Sequence, residues 1–200
     1  MSAEHQAQPV RVLAIAGSPR RGGSTDTLLD RAVAGAAGRG AQVKHIILSD
    51  LEIWPCRHCD GCIPTRGICV LEDDMQEIHL DLRSFDRFIL AAPVFFMGVP
   101  AQAKAMIDRC QALWVIKYVL KQPVGLHTGR DRKGLFISVG GSNYNNLFQG
   151  SVATVKRWFI SLDIAYSAEL LVTGINTFDA IKSHATAHQD AFRLGQELIS

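Results

Sequence analysis

Residues 10–25 read VRVLAIAGSPRRGGST. Val10–Ala16 is a short apolar run, interrupted by Arg11 alone, that stops at a Gly-Ser-Pro turn signal, as a buried strand does. From Thr25 to about Gly38, Leu28, Leu29, Ala32, Val33 and Ala36 recur at helical spacing. A strand that enters a helix through a glycine-rich loop presents free backbone N–H groups and the positive end of a helix dipole. That junction attracts an anion.

The same alternation continues along the chain. Ala41–Leu48 reads as a second strand, Phe85–Ala92 as a third stopped by Pro93, Gly134–Val139 as a fourth, and a segment near Ala165–Val172 as a fifth. Helices are expected from an Asp73 cap to about Arg83, from Val99 to about Leu120 with Pro100 in the first turn, from about Gln149 to Leu162, and from about Phe178 to Ile199. Apolar strands alternating with helices make an α/β fold with a parallel sheet covered on both faces. Five strands and five helices fit a flavodoxin-like doubly wound sheet of order 2-1-3-4-5. Residues 1–9 read as a flexible polar tail and 10–200 as a single domain, with 49–74 a cysteine-rich loop after the second strand. Ligands of such sheets sit at the carboxyl ends of the strands, so Gly17–Thr25, Pro93–Val99 and Gly140–Asn146 should surround one crevice.

Composition narrows the function. In 200 residues, 21 Lys+Arg face 19 Asp+Glu, a net charge of +2 that lacks the concentrated basic character of a nucleic-acid binder. A hydrophobic share of 48% excludes bulk disorder. No apolar run approaches the roughly 20 residues of a membrane span, and the first residues lack a secretory pattern. The expectation is a cytoplasmic protein with neither nucleic-acid nor membrane partners. Four of the five cysteines, Cys56, Cys59, Cys62 and Cys69, fall in one segment, and Cys110 stands apart. An odd count in a reducing compartment speaks for a metal or redox feature rather than a disulfide scaffold.

The anion at the first loop can be narrowed. Gly17 and Gly22 have Walker A spacing, but Gly23 stands where the lysine would be, and the dinucleotide pattern GxGxxG is broken by Ser18 and Pro19. Hydroxyls at Ser18, Ser24 and Thr25 with Arg20 or Arg21 suit a terminal phosphate monoester, and FMN is the candidate mononucleotide.

Four segments taken together resemble the NADPH-dependent FMN reductase superfamily, and within it the iron–sulfur flavoproteins. They are GSPRRGGST (Gly17–Thr25), CRHCDGCIPTRGIC with EDDM (Cys56–Met75), APVFFMGVPAQAKAMIDR (Ala92–Arg109) and SVGG (Ser138–Gly141). The resemblance assigns the FMN phosphate to Ser18, Arg20, Ser24 and Thr25. It assigns the isoalloxazine ring to Pro93, Val94, Phe95, Phe96, Met97 and Gly98, and a third side to Gly140 and Gly141. Phe95 departs from the tyrosine common in the family and lacks its hydroxyl. Asp108 and Arg109 are read as helix-packing residues, and His184 and His188 as a solvated helix face.

The cysteine spacing is Cys-x2-Cys-x2-Cys-x6-Cys. Bacterial [4Fe–4S] sites begin with the same two steps, and the resemblance implies such a cluster on Cys56, Cys59, Cys62 and Cys69. Zinc on four thiolates is the metal alternative, and free thiols that only pack are another. The function implied is an FMN-dependent oxidoreductase that passes electrons between FMN and the cluster or an external small-molecule or protein partner, with NAD(P)H a possible donor. No side chain is assigned a catalytic acid or base role, because the cofactors carry the chemistry. The alternatives are a cluster-free NAD(P)H-dependent flavin or quinone reductase, a non-enzymatic flavodoxin-like electron carrier, and a zinc-binding interaction domain. The apolar continuation of the long helix, Leu113–Leu120, suggests a homo-oligomer, a dimer or tetramer.

Overall fold

In the computed structural model, which describes residues 9–127, 131–177 and 179–200, five parallel strands form one sheet of order β2-β1-β3-β4-β5. The strands are β1 (Arg11–Ala16), β2 (Gln42–Ile47), β3 (Arg87–Ala91), β4 (Lys133–Val139) and β5 (Ala165–Val172). The helices are α1 (Ser24–Ala37), α2 (Met75–Ser84), α3 (Ala101–Arg109), α4 (Gln111–Trp114), α5 (Gln149–Ser161) and α6 (Ala185–Glu197). The predicted sheet order is observed. The predicted tail lies outside the described residues except for Pro9.

Strand periodicity divides the core in two. Leu13, Ile15, Phe88, Leu90 and Phe136 pack on one face against α2, α3, α4 and α5. Val12, Ala14, Ile89, Leu135 and Ile137 face α1 and α6 on the other. Burying β1, β3 and β4 on both faces is what makes them read as continuous apolar runs rather than alternating ones. Register aligns Ala16 of β1 with Ala91 of β3, and Ala91 with Ile137 of β4, so the loops that leave these strands emerge side by side.

Several element boundaries differ from expectation. The long helix predicted over Val99–Leu120 breaks at Cys110 and continues as α4 and then a wider π turn over Val115–Val119. At the break the Arg109 carbonyl accepts from His79 Nε2 of α2 at 3.0 Å, and the Cys110 N–H bonds back to Ile107 rather than continuing the ladder. The last helix begins at Ala185 after a 3-10 turn, Ala180–Ser183, and its predicted first residue, Phe178, lies outside the described residues. Asp73 caps α2 from one residue farther out than a conventional cap, its Oδ1 accepting from the Met75 N–H at 3.0 Å. Among the described residues no helix is long and apolar enough to cross a membrane.

Candidate functional site

The carboxyl ends of the strands enclose a cleft of about 250 Å³. Ser18, Arg20, Ser24 and Thr25 form one wall, Pro93, Val94 and Phe95 a second, and Gly140 and Gly141 a third. A fourth wall, Ile175–Thr177, comes from the loop after β5. Sequence reasoning missed it, although the strand-end rule that found the other three applies equally to β5.

The first wall is built by the backbone. Helix α1 starts after Gly23 with no side-chain cap bond, so the positive end of its dipole stands at the cleft wall. Ser18 is buried; its hydroxyl donates to the Arg20 carbonyl at 3.0 Å and accepts the Arg20 N–H at 3.1 Å, which fixes the curl of the loop. Gly22, at φ 65°, donates to Asp26 Oδ2 at 2.8 Å. Burial raises the Asp26 carboxyl pKa, and the Gly22 bond opposes this. The two arginines diverge: Arg20 lines the cleft, whereas Arg21 forms an ion pair with Asp50.

Backbone bonds staple the second and third walls to the sheet. Val94 N–H donates to the Val139 carbonyl and Gly140 N–H to that of Val172, at 3.0 and 2.9 Å. Ser138, fully buried, donates to the Ala92 carbonyl at 2.7 Å. Beyond Phe95 the chain makes a two-residue reversal in which Phe95 and Gly98 exchange N–H···O bonds of 2.9 Å each. Phe96 and Met97 take left-handed φ values of 50° and 63°, a conformation that usually belongs to Gly or Asn. Such strain is held at functional loops by the surrounding structure. Of the six residues expected at the ring, Pro93, Val94 and Phe95 line the cleft. Phe96 is wholly exposed, and Met97 and Gly98 lie outside the lining. The Met97 carbonyl instead presses on Gly150 of α5, where an added Cβ would come within 2.4 Å of it.

The second feature is the cysteine loop. Cys56, Cys59, Cys62 and Cys69 are free thiols lining one pocket with Arg109. Left-handed backbone at His58, Asp60, Arg66 and Gly67 curls the chain between the cysteines, a pattern found where backbone N–H groups surround iron–sulfur and anion sites. Gly67 is required for a second reason: a Cβ there would lie 2.4 Å from the Ile116 side chain, so the loop docks on the π turn through that glycine. Burial raises the Cys62 thiol pKa, and the three neighbouring cysteines raise it further, a repulsion that a bound cation or cluster relieves. The donor set and shared pocket fit a sulfur-ligated metal group. Among the described residues, no three potential ligands converge to metal-holding geometry. His58 is exposed beside Asp60.

Arg109 departs most from the expected packing role. Its side chain is fully buried and paired with Asp73, and it also donates to the Trp54 and Leu71 carbonyls, so it ties both ends of the cysteine loop to α3. Burial alone would raise the Asp73 carboxyl pKa, but Arg109 and the N–H groups of Trp54 and Met75 outweigh it and hold the pKa below its ordinary value. Asp108 makes a surface pair with Lys104. His184 Nδ1 accepts from the Ala187 N–H at 3.3 Å as the cap of α6, and His188 Nε2 bonds to the Ile181 carbonyl of the preceding 3-10 turn at 2.8 Å.

Comparison with known proteins agrees with this geometry. The profile of the NADPH-dependent FMN reductase family matches residues 10–151. An iron–sulfur flavoprotein of Methanosarcina thermophila is 36% identical over 149 residues, 74% of this chain and 72% of the relative. One from Methanocaldococcus jannaschii is 34% identical over 151 residues, 76% of this chain and 71% of the relative. The structure of an FMN-dependent NADH-azoreductase from Bacillus anthracis in complex with FMN has the same fold, with TM-score 0.68 at 14% identity, covering 96% of this chain and 100% of that one. With its matching profile, its relatives above 30% identity and its strand-end cleft, the chain belongs to the NADPH-dependent FMN reductase family, in the iron–sulfur flavoprotein subgroup, and is an FMN-dependent oxidoreductase.

Proposed function

We propose that this protein moves electrons between FMN in the strand-end cleft and a [4Fe–4S] cluster on Cys56, Cys59, Cys62 and Cys69, with NAD(P)H as a candidate donor and a small molecule or protein as the external acceptor. When bound, FMN supplies two-electron acceptance with single-electron release, and the cluster supplies one-electron relay. The observation that carries the reading is that all four cysteines of the spaced motif line one pocket, beside a buried arginine.

The chain's own residues have separable roles. The N–H groups at the start of α1, with Ser18, Ser24, Thr25 and Arg20, hold the phosphate. Val94 and Phe95 supply the apolar wall a flat ring needs, opposite the backbone of Gly140 and Gly141. The hydrogen-bonded reversal at Phe95–Gly98 keeps that wall rigid. The exposed Trp54, Ile63, Ile68 and Val70 on the cysteine loop support a homo-oligomer that covers them.

Anaerobic purification followed by an absorption spectrum, with iron, acid-labile sulfide and zinc assays on the same sample, tests the reading. Flavin bands with about four iron and four sulfide per chain are expected. Flavin without iron after reconstitution would refute the cluster and leave a cluster-free NAD(P)H-dependent flavin or quinone reductase. That second reading is favoured by the lack of convergence of the thiols among the described residues. A colourless protein that takes up no FMN would refute both.

A further inference from the structure

A guanidinium carries five N–H donors. On Arg109, Nη1 donates to the Trp54 carbonyl at 2.8 Å and to Asp73 Oδ2 at 2.5 Å. Nη2 donates to the Leu71 carbonyl at 3.2 Å and to Asp73 Oδ1 at 3.0 Å. Four donors are thereby used. The fifth, Nε–H, is buried and has no acceptor among the described residues. Buried donors are almost always paired, and one left open on a fully buried cation needs an explanation. The same side chain lines the pocket of the four cysteines, and the Leu71 carbonyl it holds lies two residues after Cys69.

We propose that Arg109 is a positioning residue of the four-cysteine site: its open Nε–H donates to the Cys69 sulfur once the cluster is in place, and its charge offsets that of the thiolates. The proposal rests on reading the pocket as a [4Fe–4S] site. Four thiolates bring more negative charge than the cluster core neutralises, and one more electron adds to it. A buried cation donating to a ligand sulfur therefore favours the reduced state, since hydrogen bonds to the sulfurs help set cluster potentials. The fork geometry explains why arginine stands here. It alone spans a bidentate carboxylate, two carbonyls and a sulfur at once, whereas a lysine ammonium is a point donor.

The test compares wild type, Arg109→Lys and Arg109→Gln, purified anaerobically and reconstituted with iron and sulfide. Iron and sulfide content and the cluster midpoint potential, followed by electron paramagnetic resonance, are the readouts. FMN content and thermal unfolding serve as controls. Arg109→Lys keeps a charge beside Asp73 and should load a cluster whose reduced state is favoured about tenfold less, a negative shift of about 59 mV for a one-electron couple. Arg109→Gln should load less iron. A variant with full cluster at wild-type potential overturns the proposal. If Arg109→Gln does not fold, Arg109→Lys decides alone; loss of fold in both would make the role structural and also overturn it. Wild type that takes up no iron refutes the cluster reading itself, whereas a loaded wild type with unmoved variants refutes the role of Arg109 alone.

Discussion

Gly150→Ala tests whether α5 sets the Phe95–Gly98 reversal at the edge of the cleft. A Cβ at position 150 would lie 2.4 Å from the Met97 carbonyl oxygen, about 1 Å short of the 3.4 Å at which ordinary contact begins. The obstacle is backbone, held in a reversal whose two central residues are already left-handed, so it yields only by displacing Phe95 or the first turn of α5. Overpacking of this kind costs about 1–3 kcal/mol. A 1 Å misplacement of a group that orients reactants reduces turnover by as much as roughly 10²-fold. The sign is diagnostic, because Ala in place of Gly in a helix is otherwise stabilising by about 0.5–1 kcal/mol. Urea denaturation of the apoprotein measures the first effect, turnover of the FMN-loaded protein the second, and fluorescence titration shows whether FMN still binds. Gly98→Ala is the contrast: its Cβ meets nothing nearer than the Phe95 carbonyl at 3.6 Å, so its fold should be perturbed less. A Gly150→Ala protein that is more stable than wild type and binds FMN equally would refute the reasoning.

Three further outcomes are expected. Asp73→Ala strands the fully buried Arg109 charge, and removing one partner of such a pair costs about 3–5 kcal/mol; guanidinium denaturation together with faster proteolysis between residues 49 and 74 would show it, and a loss under about 1 kcal/mol would contradict it. Burial holds the His79 pKa down to about 4, so the side chain stays neutral in the folded protein while the unfolded chain takes up a proton below about 6.5. Stability should therefore fall as pH drops from 6.5 towards 4, by up to about 3 kcal/mol, and a His79→Gln variant should show a flatter dependence in denaturation series across that window. Cys59→Ala should abolish iron and sulfide uptake while leaving FMN bound; joint loss of both would mean that the two sites are not separable.

The sheet order and three of the four cleft walls were legible in the sequence because they follow from local signals. Those signals are apolar runs ended by Gly or Pro, a glycine loop entering a helix, and the strand-end rule. Other features depended on contacts distant in sequence. Nothing in the pattern from Val99 to Leu120 marks the break, where His79 of another helix bonds to the Arg109 carbonyl. The turn that sends Phe96 into solvent sets its Met97 carbonyl against Gly150 of α5, a contact distant in sequence, and no local propensity would choose left-handed Phe and Met. Arg109 reads in the sequence as a helix-packing residue only, because arginines are rarely buried. Its partners lie 36 to 55 positions earlier in the chain.

Helix α3 begins shortly after the Phe95–Gly98 reversal and ends on Arg109, the anchor of the cysteine loop. Its nine residues therefore set a phase as well as a length. Adding or deleting one residue shortens or extends it by about 1.5 Å but turns its last side chain by roughly 100°. That would swing the guanidinium out of its four bonds and away from the pocket while leaving the first loop untouched. Spacing between the two sites can thus change only in near-whole turns, of about three or four residues. Single insertions in Ala101–Arg109 should be far more disruptive than equal insertions in the loop from Ser142 to Asn146.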